Sequence, residues 1–117
     1  MINHVVFIKF KPEVDDADIE DLEKSLNDLP NKITEIHSYE FGRDLVRSDR
    51  SYDFALVSLF ANLQTLEQYS NHPQHLKVVQ KIRKLSSDII TVDFEGSDAG
   101  SITVERPFWD ASPLRKL

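Results

Sequence analysis

No cysteine occurs in the 117 residues. That excludes disulfide staples, thiolate metal ligands and a thiol nucleophile, and it fits a reducing cytosol. The sequence also lacks any apolar run near the roughly 18 to 20 residues of a membrane span, and any charged-then-apolar leader with a small-residue cleavage site. It therefore reads as a soluble, cytoplasmic chain with no membrane partner. Positive charge is scarce as well: the net charge is −6, and no basic face is laced with aromatics, which argues against nucleic acid. The acidic excess is local. Glu13, Asp15, Asp16, Asp18, Glu20, Asp21, Glu23 and Asp28 stand against the single Lys24, while Lys77, Lys81, Arg83 and Lys84 make a later segment basic. Both clusters read as solvated helix faces.

With 40% apolar residues, a chain of this length buries one core and forms one domain. The stretch that organises it runs from Asn62 to Leu85. Leu63, Leu66 and Tyr69 recur at helical spacing and stop at Ser70 and Asn71; Leu76, Val79, Ile82 and Leu85 begin a second series just past Pro73. Proline suits the first position of a helix, where its missing N–H costs nothing, so Asn71 or His72 is the expected N-cap. His75 then falls in the first helical turn, whose positive end favours a neutral imidazole able to accept a proton.

The remaining pattern supplies four strands and a first helix. Ile2 to Lys11 alternates, with His4, Val6, Ile8 and Phe10 on one face and Val5 and Phe7 on the other. A helix follows, striped by Ile19, Leu22, Leu26 and Leu29 and broken at Pro30 and Asn31. A second strand is expected from Ile33 to Phe41, ending at Gly42, then a loop to Ser51. Tyr52 to Ala61 is the clearest strand, with Phe54, Leu56, Ser58 and Phe60 on one side and Ala55, Val57 and Leu59 on the other. The last strand, Asp88 to Glu95, turns Ile90, Val92 and Phe94 one way and Ile89 and Thr91 the other.

The order is βαββαβ with a split second helical segment, an α+β, ferredoxin-like arrangement of one antiparallel four-stranded sheet under helices. Helices can cover only one face of that sheet, yet two strands are apolar on both. A second copy packing sheet to sheet, a symmetric homodimer, is the economical answer. Residues 96–117 read as an extension to a 2–95 domain. Phe108 and Trp109 would serve there as anchors over the domain or its partner, or the segment would form a lid.

The runs HVVFIKFKPEV, YDFALVSLFANLQTLEQYSNHPQH and IITVDFE resemble the Dabb family, the stress-responsive dimeric α/β-barrel domains, over residues 2 to 95. The resemblance implies a ferredoxin-like protomer that pairs into a barrel. One plant polyketide cyclase of this kind performs an intramolecular aldol condensation with no metal or redox cofactor. Its catalytic groups are a His opening the first strand, a Tyr ending the short helix and the second His of an HPxH run. By motif position these are His4, Tyr69 and His75 here, with His72 as the capping His. The pocket it implies is lined by Val6, Ile8, Phe54, Leu56, Ser58, Leu63, Leu66, Leu76, Val78 and Val79, with Val79 bulkier than its counterpart and so narrowing the space. Antibiotic-biosynthesis monooxygenases and haem-degrading enzymes share the barrel, but no haem-ligand pattern of theirs can be placed on this sequence.

Such a condensation needs a base for an α-proton and a donor for the resulting oxyanion. His75 suits the base, Tyr69 the donor or the positioner of His75, and His4 a hydrogen bond to substrate. Beside this stand blander readings: His72 and His75 cap a helix, Tyr69 fills the core, and the dimer is a non-catalytic stress protein that binds a small hydrophobic molecule or none. A metal held by His4, His72 and His75 is a weaker reading, because no carboxylate is evidently placed with them. His37 reads as a surface or interface residue.

Overall fold

A computed structural model describes residues 1–96. The expected extension with Phe108 and Trp109 lies outside these described residues. The elements are β1 (Ile2–Phe10), α1 (Asp16–Lys32), β2 (Ser38–Arg43), β3 (Phe54–Phe60), α2 (Leu63–Asn71), α3 (Pro73–Leu85) and β4 (Ser86–Glu95). Every strand pair is antiparallel and the sheet order is β2-β3-β1-β4, so the two strands contributed by the chain's ends lie side by side. This is the ferredoxin-like α+β fold.

The helices start where polar side chains satisfy free amides. Asp15 and Asp18 form a reciprocal capping box at α1, and Asn62 and Thr65 form another at α2, where Asn62 Oδ1 accepts the Thr65 N–H at 2.8 Å. Removing the second cap with Asn62→Ala is expected to cost about 1 kcal/mol, read as a lower urea midpoint at unchanged slope.

The first helix departs from expectation. It runs through Pro30 to Lys32, and Ile33 is its C-cap instead of the start of a strand. Pro30 removes one amide donor, but it sits in the last turn. There the burial of Leu29 and Ile33 and the Ile33 N–H to Leu29 carbonyl bond of 2.9 Å hold the helix together. The second strand is correspondingly short, and it continues through Gly42 to Arg43, whose guanidinium grips Glu23 and Asp16 on α1.

One face of the sheet carries the core: Ile2, Val6, Ile8, Phe54, Leu56 and Phe60 pack against Leu22, Leu26 and Leu29 of α1 and Val78 and Ile82 of α3. No helix among the described residues covers the other face. Phe7, Val57, Ile90, Val92 and Phe94 are all exposed there, Val92 at 61% and Phe94 at 50%. Strand register makes the patch continuous, since Val5 lies between Val57 and Val92 and Phe7 pairs with Ile90. An apolar patch of this kind marks an interaction surface.

Candidate functional site

Register also assembles the polar residues. Tyr39 on β2 pairs with Ser58 on β3, Ser58 with His4 on β1, and His4 with Asp93 on β4. Partners directly opposite share a face, so these four form one row across the sheet on the helix side. Above the row, α2 ends and α3 begins at His72, which caps both. Its Nδ1 accepts the Gln74 N–H at 3.1 Å. That kink brings Tyr69, at the end of α2, against His75, in the first turn of α3.

Tyr69 is the hub. It is fully buried, with its ring 4.1 Å from that of His75, 4.8 Å from Phe60, and edge-on at 6.2 Å to both His4 and Tyr39, all between centroids. Its hydroxyl lies 2.7 Å from the Tyr39 hydroxyl. The Tyr69 phenol therefore contacts Tyr39, and it meets His75 ring to ring instead of by a hydrogen bond.

Hydrogen bonds fix the tautomers of both imidazoles. His75 Nδ1 is 3.1 Å from the Ser70 carbonyl, which can only accept, so Nδ1 carries the proton and Nε2 keeps its lone pair. His4 Nδ1 donates in the same way to the Asp93 carboxylate, leaving its Nε2 free. Burial holds the His75 imidazole below its ordinary pKa, with His4 and His72 acting in the same direction and the Ser70 bond opposing. A neutral His75 was expected from the helix terminus, and burial acts in the same direction. Burial likewise pushes the Tyr39 phenol up to about 12, against the lowering effect of its bond to Tyr69. It raises Tyr69 far above the ordinary phenol range. Both phenols keep their protons and act as donors.

These groups border a cavity of about 210 Å³ between sheet and helices. His4, Tyr69 and His75 all line it, as do Val6, Leu56, Val78 and Val79. Other residues expected there do not. Leu63 and Leu76 are on the surface, because steps of three residues fall about 60° short of a helical turn each time and carry them off the buried stripe. Ile8 and Phe54 lie in the core one row beyond Val6 and Leu56, where Phe54 stacks on Phe41 at 6.1 Å and fills the space. Leu66 belongs to the same core. Ser58 is buried, with its hydroxyl on the His4 carbonyl at 3.4 Å. His72 caps the helix without reaching the cavity, so its Nδ1 is not available to join His4 and His75 around an ion. His37 is exposed.

Two residues of the site were not singled out from the sequence. Tyr39 is one, although its alternation with Phe41 places it on the core side of β2. Asp93 is a carboxylate next to His4 that no local pattern announces, though it continues the Ile89 and Thr91 face. Leu26, Ser70, Ile82, Ile89 and Thr91 complete the lining. Larger hollows exist elsewhere, notably one of about 360 Å³ between α1 and α3 edged by Lys24, Lys32, Lys77 and Lys81. They hold neither an imidazole nor a pair of phenols.

A ferredoxin-like domain with one apolar sheet face open among the described residues, and a small cavity ringed by two imidazoles and two phenols, places the chain in a class of compact α+β domains. The chain belongs to the stress responsive A/B barrel domain family, Dabb, whose sequence model matches residues 2–96. It is 26% identical to the stress-response A/B barrel domain-containing protein DABB1 of Arabidopsis thaliana over 102 residues, 85% of this chain but only 49% of that protein. The chain thus spans about half the length of that relative. It is 23% identical to olivetolic acid cyclase of Cannabis sativa over 95 residues, 80% of this chain and 94% of the cyclase. Among solved structures, a dimeric ferredoxin-like protein of unknown function from Thermobifida fusca superimposes with a TM-score of 0.74 at 29% identity, covering 80% of this chain and 88% of that one. Among the described residues no helix is long and apolar enough to cross a membrane.

Proposed function

We propose that the cavity binds a small hydrophobic carbonyl compound and that His75 removes a proton from the carbon beside its carbonyl, in an aldol-type, cyclase-like reaction. The observation that carries this reading is the convergence of an imidazole lone pair and protonated phenols on one apolar pocket. His75 Nε2 takes the α-proton, and the carbonyl oxygen gains the negative charge and is met by a phenol hydroxyl. The carbanion then attacks a second carbonyl of the same molecule, forming the carbon–carbon bond, and the proton on His75 passes to the new alkoxide. His4, oriented by Asp93, offers its Nε2 lone pair to a substrate O–H. The likeness to olivetolic acid cyclase supports this chemistry. These side chains can perform it without a cofactor or metal.

The working unit in this reading is a cytoplasmic homodimer of 2–95 domains joined through the uncovered sheet faces, with 96–117 as an extension. The apolar patch and the dimeric Thermobifida fusca neighbour support that assembly.

A second reading rests on the cavity's size. About 210 Å³ is below the roughly 300 Å³ at which ligand pockets begin, which favours a non-catalytic stress-response dimer. Deuterium exchange at the α-carbon of short-chain and cyclic ketones in D₂O, followed by proton NMR, separates the two. The wild-type protein is expected to accelerate exchange for at least one compact ketone, and an unchanged rate across the panel would leave the structural role.

A further inference from the structure

Tyr39 and Tyr69 carry two O–H groups between them, and the single contact of 2.7 Å between their oxygens uses one. Among the described residues neither phenol has another hydrogen-bond partner. One donor of the pair is therefore left over beside an apolar cavity, where Tyr69 is 1% exposed and Tyr39 half-buried. A buried donor without an acceptor is costly and rare. Both phenols line the cavity, so what occupies the pocket can supply the missing acceptor. Water could serve when the site is empty; an oxygen bearing negative charge would serve better.

We propose that Tyr39 is the second member of a two-phenol oxyanion site, and that the cavity accordingly selects compact ligands presenting one enolate or phenolate oxygen in an otherwise apolar frame. This rests on the function proposed above and adds to it a residue and a ligand class. The bond inside the pair polarises the outer hydroxyl, so the donor facing the ligand is stronger than a lone phenol. No lysine or arginine lines the space, and His4 and His75 are the titratable groups there besides the two phenols. A carboxylate or phosphate ligand would find no countercharge. The oxyanion of an enol or phenol, whose charge is small and appears with the loss of one proton, is matched by hydroxyls and by an imidazole that receives that proton. Tyr39 reaches the site from the edge strand β2, whereas Tyr69 is wedged among rings at the centre. In the proposed site Tyr69 donates to Tyr39 and Tyr39 donates to the ligand, so losing the Tyr39 hydroxyl removes the ligand-facing donor without opening the core.

The probe is 4-nitrophenol, whose ionised form is read by its visible absorbance, with 4-nitrotoluene as an apolar control of similar shape. Wild-type protein is expected to bind 4-nitrophenol and to raise its ionised fraction above that of free ligand at the same pH. Tyr39→Phe should bind it about ten- to a hundredfold more weakly with a smaller ionised fraction, while 4-nitrotoluene binds both proteins equally and the melting temperature stays close to wild type. Equal 4-nitrophenol affinity and ionisation in wild type and Tyr39→Phe would overturn the role of Tyr39 and leave the pocket reading intact. A parallel loss of 4-nitrotoluene binding would also overturn it, by showing a packing role. If wild type binds neither compound, this inference and the pocket reading fall together.

Discussion

His75→Gln is expected to slow α-proton exchange of a ketone substrate by a factor of about a hundred to ten thousand, the range supplied by a positioned general base. Glutamine retains an N–H that can reach the Ser70 carbonyl and fills much of the same volume, so the α2–α3 kink should persist. It has no lone-pair nitrogen to receive the proton. The rate constant of the wild-type protein should rise with pH through the His75 pKa and level off below the ordinary histidine range, because burial favours the neutral form. Stability follows the same group. Its folded pKa lies below the unfolded value of 6.5, so below that pH the unfolded chain binds the proton more readily. Stability is lost as pH falls from the unfolded pKa through the folded one and is indifferent to this group above it. His75→Gln should remove that part of the acid sensitivity. An exchange rate that survives the substitution would move the base to His4.

Val57→Asp should convert the protein from a dimer to a monomer. Val57 lies on the uncovered sheet face opposite Val5, 41% exposed, and in a symmetric dimer the substitution acts twice. Burying an unpaired carboxylate costs several kcal/mol for each ion, enough to dissociate an interface of ordinary affinity. Within the protomer the side chain points to solvent, so the fold should lose only about 1 kcal/mol from the poorer strand former. Light scattering should give twice 13.5 kDa for wild type and 13.5 kDa for the variant. A wild-type protein that is itself monomeric at micromolar concentration would refute the dimer.

Local signals made half of the site legible. His4 opens a strand, Tyr69 ends a helical stripe, and His75 follows a proline that starts a helix. Each is marked by its immediate neighbours. Tyr39 and Asp93 owe their positions to pairing across 30 and 89 residues with Tyr69 and His4, and no window of sequence contains that. The split helices and the two-sided strands were readable because periodicity is local. Pro30 was misread because its effect depends on how firmly Leu29 and Ile33 are held, a tertiary quantity. Leu63 and Leu76 were misread because spacing by three resembles a helical face over two steps and drifts off it over longer ones.

Tyr39, Ser58, His4 and Asp93 come one from each strand, while much of the apolar wall opposite them, Leu26, Val78, Val79 and Ile82, comes from helices. The two halves are held by different forces. A slip of one residue in any strand would send its member of the row to the far face, so the polar half cannot be adjusted piecemeal and lasts as long as the sheet does. The helical half can exchange one aliphatic side chain for another at small cost when volume is kept. Such a division lets descent with modification reshape the space inside the cavity while the strand-borne polar row stays fixed, so two chains sharing this row need not enclose the same volume.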